Sequence, residues 1–205
     1  MAGKLNINTF KKIKNIFFSN CTSLLIEAYH TSKSNEVIFQ DFDENDITAI
    51  LHHYIDVNPK RKILEISTNI EHHIFNNTKK YSKKFASKFA RIDLRFSTFW
   101  KREEYIYFIE AKNLKSSDSG LKRRYINTGI DNFLKGGKYE NCDGLLVGYI
   151  LEGTKLECVK GINNLLEKDN RNDLIIIPQS FHNFDFYLSS HEERLLTHAF
   201  LEYFN

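Results

Sequence analysis

Residues 91–96, RIDLRF, and residues 105–112, YIYFIEAK, decide how the chain is read. Both runs are rich in β-branched and aromatic residues and apolar apart from a few charges, the composition of strands that face a core. KREE at 101–104, between them, reads as a solvated turn. Asp93 lies inside the first strand, and Glu110 and Lys112 close the second. Side chains two apart in a strand share a face, so Glu110 and Lys112 project together. If the strands pair as neighbours, Asp93 lies beside Glu110, and two carboxylates converge with one ammonium.

Upstream, Phe10, Ile13, Phe17, Cys21, Leu24 and Ala28 recur at steps of three and four, which predicts a helix over 8–29. Residues 31–42 are polar, with a short extended piece at Val37–Phe39. Asp43 caps a second helix, with Asp46 three positions on. Ile47, Ile50, Leu51 and Tyr54 form its apolar face, and it ends near Asn58-Pro59 because the residue before proline disfavours the helical region. Residues 62–75 look extended, and 76–90 form a basic connection with five lysines.

Downstream, 119–135 reads as a helix with Ile126, Ile130, Phe133 and Leu134 on one face, stopped by Gly136-Gly137. GLLVGYIL at 144–151 is apolar enough for a strand buried on both faces. A helix over 154–168, strands at 174–178 and 184–188, and a closing helix from Glu192 to Phe204 follow. Leu195, Leu196, Phe200 and Tyr203 form the stripe of that last helix. The middle of the chain thus runs helix, strand, strand, strand, helix, strand. This succession predicts an α/β fold with a mixed central sheet flanked by helices. We expect one domain over 1–205: an N-terminal helical extension at 1–42, a core at 43–151, and 152–205 completing the fold.

Composition narrows the classes. The chain has 205 residues, 41% hydrophobic and 14% aromatic, which suits a globular domain rather than a disordered one. Three scattered cysteines without CxxC spacing fit neither a disulfide framework nor a structural zinc site, and suit a reducing cytoplasm. No stretch approaches the ~20 apolar residues of a membrane span. Residues 1–138 carry 24 Lys/Arg against 15 Asp/Glu, a net of +9, whereas residues 139–205 carry a net of −6. The basic part suits a polyanion, since clustered Lys/Arg displaces counterions from a phosphate backbone. A lysine-rich composition without such a partner gives the same balance. The acidic last third is a poor face for nucleic acid and a better one for a protein partner.

Two carboxylates and a lysine are what phosphodiester hydrolysis needs. The carboxylates hold a hard divalent cation such as magnesium, for which manganese can substitute, and the main-chain carbonyl of Ala111 can add a ligand. The lysine orients the attacking water and stabilises charge on phosphorus. An acid upstream of an ExK triplet recurs by chance in a chain that is 27% charged. Its placement on two apolar strands raises it above chance, because buried strands rarely end in charged pairs. Arg91 and Arg95 share the face of Asp93, so a salt-bridged structural aspartate competes with the catalytic one.

With these residues in place, the chain resembles the core of PD-(D/E)XK nucleases, the restriction-endonuclease-like superfamily. The resemblance is carried by RIDLRF, YIYFIEAKNLK (105–115), LKRRYINTGIDNFLKGGKY (121–139) and GLLVGYIL, within residues 43–151, with a looser echo in YLSSHEERLLTHAFLEYF (187–204). The chain resembles compact prokaryotic members often found in phage-defence or restriction loci. The resemblance implies a restriction-endonuclease-like core and Mg²⁺-dependent endonucleolytic cleavage of nucleic acid, usually DNA. Asp93 and Glu110 stand at the positions of the metal-holding acids, and Lys112 at that of the catalytic lysine. Ile92 stands where the family motif has proline.

The family often adds an acid from the first core helix. Glu44 is the preferred catalytic candidate, with Asp46 and Glu71 as competitors. Lys122, Arg123 and Arg124 open the helix after the ExK strand and are expected to meet phosphate, Lys122 pointing inward with Ile126. Lys83 and Lys84, within the lysine series 79, 80, 83, 84 and 88, are expected to hold the backbone. No histidine set has zinc spacing; His191, inside the echo, is the one to watch. Two alternatives stay open: a ribonuclease of the same fold, and a non-catalytic nucleic-acid-binding or partner module. A chain of this size leaves little for a sequence-reading domain. Low specificity, a homodimer or a targeting partner protein is therefore expected.

Overall fold

The computed structural model describes residues 7–74, 90–181, 184–191 and 194–204. Three helices, α1 (Ile7–Ser34), α2 (Glu44–Val57) and α3 (Pro59–Ile63), precede β1 (Ser67–Ile74), β2 (Ala90–Trp100) and β3 (Glu103–Lys115). A helical stretch follows, made of α4 (Ser119–Arg124), a π-helical segment (Tyr125–Ile130) and α5 (Asp131–Phe133). Then come β4 (Gly144–Glu152), α6 (Lys155–Lys168), β5 (Ile177–Phe181), β6 (Phe184–His191) and β7 (Arg194–Glu202). The described strands form one mixed sheet of seven in the order β1-β2-β3-β4-β7-β6-β5. β4 runs parallel to both β3 and β7; the other pairs are antiparallel.

Local chemistry sets the boundaries. Asp43 and Asp46 form the expected capping box: the Asp43 carboxylate accepts the N–H groups of Asn45 and Asp46, and Asp46 accepts the N–H of Asp43. Asn58 ends α2 and caps α3, where Pro59 takes the first helical position, in which a missing N–H costs nothing. Lys101 and Arg102 have φ of +48° and +74°, so a two-residue hairpin joins β2 to β3 and Glu103–Glu104 belong to the strand.

Two cores sandwich the sheet. On one face α1 and α2 cover Leu94, Phe96, Tyr107, Ile109 and Ala111. On the other, the π-helical segment and α6 cover Phe108, Leu114, Leu146, Ile150 and Phe200. Among the described residues no helix is long and apolar enough to cross a membrane.

Three expectations are corrected. The closing segment is strand β7, not a helix from Glu192 to Phe204. β7 is central, between β4 and β6, so both of its faces are apolar: Ala199 and Leu201 enter one core, Leu196 and Phe200 the other. Losing the alternation produced spacings that mimic a helical stripe, and a Leu/Ala/Glu-rich composition reinforced the error; burial overrode propensity. Within 62–75, the start belongs to α3 and the strand begins at Ser67. The strand expected at 174–178 is a short 3₁₀ turn (Asn172–Leu174) followed by β5. The sheet also has three strands beyond the expected core. The connection at 76–90, with Lys83 and Lys84, lies outside the described residues except for Ala90.

Candidate active site at the open edge of β3

The β2–β3 ladder stops at Leu94 and Ile109. Alternation would put Ile92 and Leu94 on one face, yet they enter opposite cores, so β2 kinks at Asp93. Glu71, opposite Asp93 in β1, has φ of +52° and drops out of the register between Ile70↔Leu94 and His72↔Ile92. Past the kink β3 keeps β4 on one side, while its other edge has no partner strand among the described residues.

Carboxylates take over that edge. The N–H of Ala111 donates to Asp93 Oδ2 at 2.7 Å, and the N–H of Asn113 donates to Glu44 Oε1 at 2.9 Å. Each acid stands where a strand carbonyl would, which satisfies the amides left by the missing ladder. The Asn113 side chain fastens the loop before α2 by donating to the Phe42 carbonyl.

Lys112 Nζ donates to Glu110 Oε1 at 2.6 Å and to the Ala111 carbonyl at 2.7 Å. Glu110 and Lys112 are each only 5% exposed, so their pairing lies in a weakly screened environment. Among the described residues the buried Glu110 Oε2 makes no hydrogen bond of ordinary geometry, the Tyr139 hydroxyl being the polar group beside this carboxylate. Burial, with the Asp93 charge adding to it, pushes the Glu110 carboxyl up to about 7, against the pull of Lys112 and of the Tyr139 hydroxyl. Burial also raises Asp93, opposed by Lys112, the Ala111 N–H, Arg91 and Arg124. One ammonium therefore does not offset the cost of desolvating two carboxylates, Glu110 buried and Asp93 partly so, and the cluster favours added positive charge.

The remaining candidates separate clearly. Glu44 lies at the same edge, its second oxygen accepting from Arg124 at 2.7 Å. Asp46 is used in the capping box, and Glu71 pairs with Arg91 at the surface. Arg91 and Arg95 pair with Glu71 and Glu104 respectively, and no ion pair joins either to Asp93 among the described residues. Lys122 points inward as expected, but its ammonium binds the carbonyls of Ser116 and Lys115 while its stem lies against Gly161. Arg123 pairs with Asp169. Of the three basic residues, Arg124 alone reaches the acids, beside a cleft of about 450 Å³ lined by Phe42, Glu44, Asn113, Lys115 and Arg124.

Two features escaped the sequence. Tyr139, at the end of the LKRRYINTGIDNFLKGGKY run, donates its hydroxyl to the Arg91 carbonyl at 2.6 Å, and its titration is raised by burial and by the Glu110 and Asp93 charges beside it. It braces β2 just before the kink. Away from the edge, a buried polar chain links Tyr125, His198, Ser189 and His191 at 2.8–2.9 Å per step. Of these residues only His191 stands out in the sequence; the Tyr139–Arg91 and Tyr125–His198 contacts depend on long-range register, for which sequence spacing carries no signal.

Among the described residues no three His, Cys, Asp or Glu side chains converge as a metal cage. The oxygen set at the edge is smaller, two carboxylates and one carbonyl, and all its members are hard donors. Magnesium accepts few protein ligands and keeps waters. The orphaned Glu110 oxygen and the raised carboxyls fit a divalent cation. No protein-family model matches the chain, and comparisons with curated proteins and with solved structures gave no match.

Proposed function

We propose that the protein is a Mg²⁺-dependent nuclease of PD-(D/E)XK type, cutting DNA endonucleolytically. The observation that carries this is the gathering of Asp93, Glu110, Lys112 and the Ala111 carbonyl at one open strand edge. The order α2, β1, β2, β3, helix, β4, antiparallel and then parallel, supports a restriction-endonuclease-like core. On this reading β7, β6 and β5 extend that core.

Asp93, Glu110 and the Ala111 carbonyl would hold the metal. When bound, magnesium polarises a phosphoryl oxygen and acidifies a coordinated water. Lys112 would orient the attacking water and offset charge building on the phosphate. Glu44 holds the β3 edge in register through the Asn113 N–H and aims Arg124 at the cleft, where the guanidinium can grip a phosphate in a bidentate manner. The free thiols at Cys21, Cys142 and Cys158 agree with a reducing cytoplasm, and phage defence or restriction is the role the resemblance implies.

Plasmid nicking with Mg²⁺, compared between wild type and the Asp93→Asn and Lys112→Ala variants, tests the proposal. Metal-dependent nicking that both variants abolish supports it, and undiminished nicking by both sinks it. The buried Lys112–Glu110 pair favours one rival: the pair is structural and the chain binds nucleic acid without turnover. An RNA substrate in the same assay separates the ribonuclease alternative.

A further inference from the structure

We propose that Lys112 is a built-in counter-ion, competing with a divalent cation for the same oxygens, so that loading the metal releases its ammonium toward the substrate. The inference rests on the proposed metal-holding role of Asp93, Glu110 and the Ala111 carbonyl. The Lys112 ammonium sits 2.6 Å from Glu110 Oε1 and 2.7 Å from the Ala111 oxygen, two of the three oxygen sources in that set.

A cation drawing on both oxygens would lie within a few ångströms of the ammonium. In an environment where both side chains are only 5% exposed, repulsion between like charges at that separation is weakly screened. One of them has to leave. Lysine carries its charge on a flexible four-carbon stem, so departure needs rotamer changes and no backbone movement. Glu110 keeps its second oxygen buried and, among the described residues, without a hydrogen bond of ordinary geometry, so its carboxylate can turn to an incoming ion as the ammonium withdraws. The exchange trades a monovalent for a divalent charge beside the carboxylates of Asp93 and Glu110. Lys112, now held on the Glu110 and Ala111 oxygens, would be free to meet water and phosphate with those oxygens taken by an ion.

Isothermal titration of the full chain with Mn²⁺ tests the competition directly, in wild type and in Lys112→Met. The variant is expected to bind about tenfold to a hundredfold more tightly, the worth of one or two charge-assisted hydrogen bonds. Equal or weaker binding by a folded variant overturns the proposal. Removing one partner of a buried pair can unfold a chain, so wild type supplies a second readout. Trace acetylation of Lys112, normalised to the surface Lys168 and read by mass spectrometry, should rise severalfold when MgCl₂ is added. Unchanged or reduced labelling overturns the proposal. Neither readout uses cleavage: competition without nicking would refute the nuclease reading alone, and nicking without competition would refute this inference alone.

Discussion

The Asp93 carboxylate accepts the main-chain N–H of Ala111 at 2.7 Å, filling the position where a carbonyl of β2 would stand had the ladder continued past Leu94 and Ile109. One acid therefore terminates a strand pair and lines a site, and the two roles can be separated. Asp93→Ala leaves the Ala111 N–H without its acceptor and should cost about 1–3 kcal/mol of stability. Asp93→Asn keeps an acceptor and should cost less while removing the charge. Urea unfolding of both variants checks the ordering.

Glu110 and His198 should tilt the pH dependence of stability in opposite directions. Burial, with His191 adding to it, lowers His198 to about 3 from 6.5, so between those values the unfolded chain holds a proton that the native one lacks. Stability from this group rises with pH across that window and is full above it. Glu110 is pushed up from 4.5 to about 7, so the native state holds the extra proton there and stability falls as pH rises. Each slope is at most about 1.4 kcal/mol per pH unit, and they oppose between 4.5 and 6.5. Relative to wild type, Glu110→Gln should steepen the rise with pH there, and His198→Gln should flatten or reverse it. Denaturant midpoints from pH 4 to pH 8 measure both.

Lys122 and Arg124 lie two residues apart and should fail differently. Lys122→Ala uncovers the Ser116 carbonyl and opens a gap beside Gly161, which should lower the melting temperature and leave nucleic-acid affinity unchanged. Arg124 is half-exposed, so Arg124→Ala should change stability by less than about 1 kcal/mol. It should weaken nucleic-acid binding and flatten its salt dependence. Fluorescence anisotropy at several salt concentrations, alongside melting curves, separates the two.

Gly148 pairs with Lys112 across β3 and β4, and a Cβ there would stand 2.6 Å from Leu114 Cδ1 and 2.8 Å from a Phe200 ring carbon. Gly148→Val should destabilise by about 1–3 kcal/mol through overpacking. Circular dichroism melting checks it.

The second helix, β2, β3 and β4 were legible because each has a one-sided or two-sided apolar pattern tied to a boundary signal: the Asp43–Asp46 capping box, the KREE turn at 101–104, the glycines after Phe133. β1 has no such pattern, and its expected start at 62 falls five residues before Ser67 because its exposed faces carry no apolar alternation. Glu110 and Lys112 were legible as a pair because strand period alone sets their face. β7 was not, because a central strand without alternation looks like a helix whose stripe has been read at the wrong period. Nor was the split among Lys122, Arg123 and Arg124. All three sit on one turn, and only the position of Glu44 and of the Ser116 carbonyl decides which faces the edge. The kink at Asp93 was equally silent, since it shows itself only in tertiary packing, where Ile92 and Leu94 enter opposite cores and the β2–β3 ladder ends.

The most direct measurement is cleavage of supercoiled plasmid by purified protein, with and without Mg²⁺, for wild type, Asp93→Asn, Glu110→Gln and Lys112→Ala, each first checked for a native circular dichroism spectrum. The account predicts Mg²⁺-dependent nicking by wild type and none above background by the three variants. Nicking retained by the folded variants, or wild-type nicking indifferent to the metal, would contradict it.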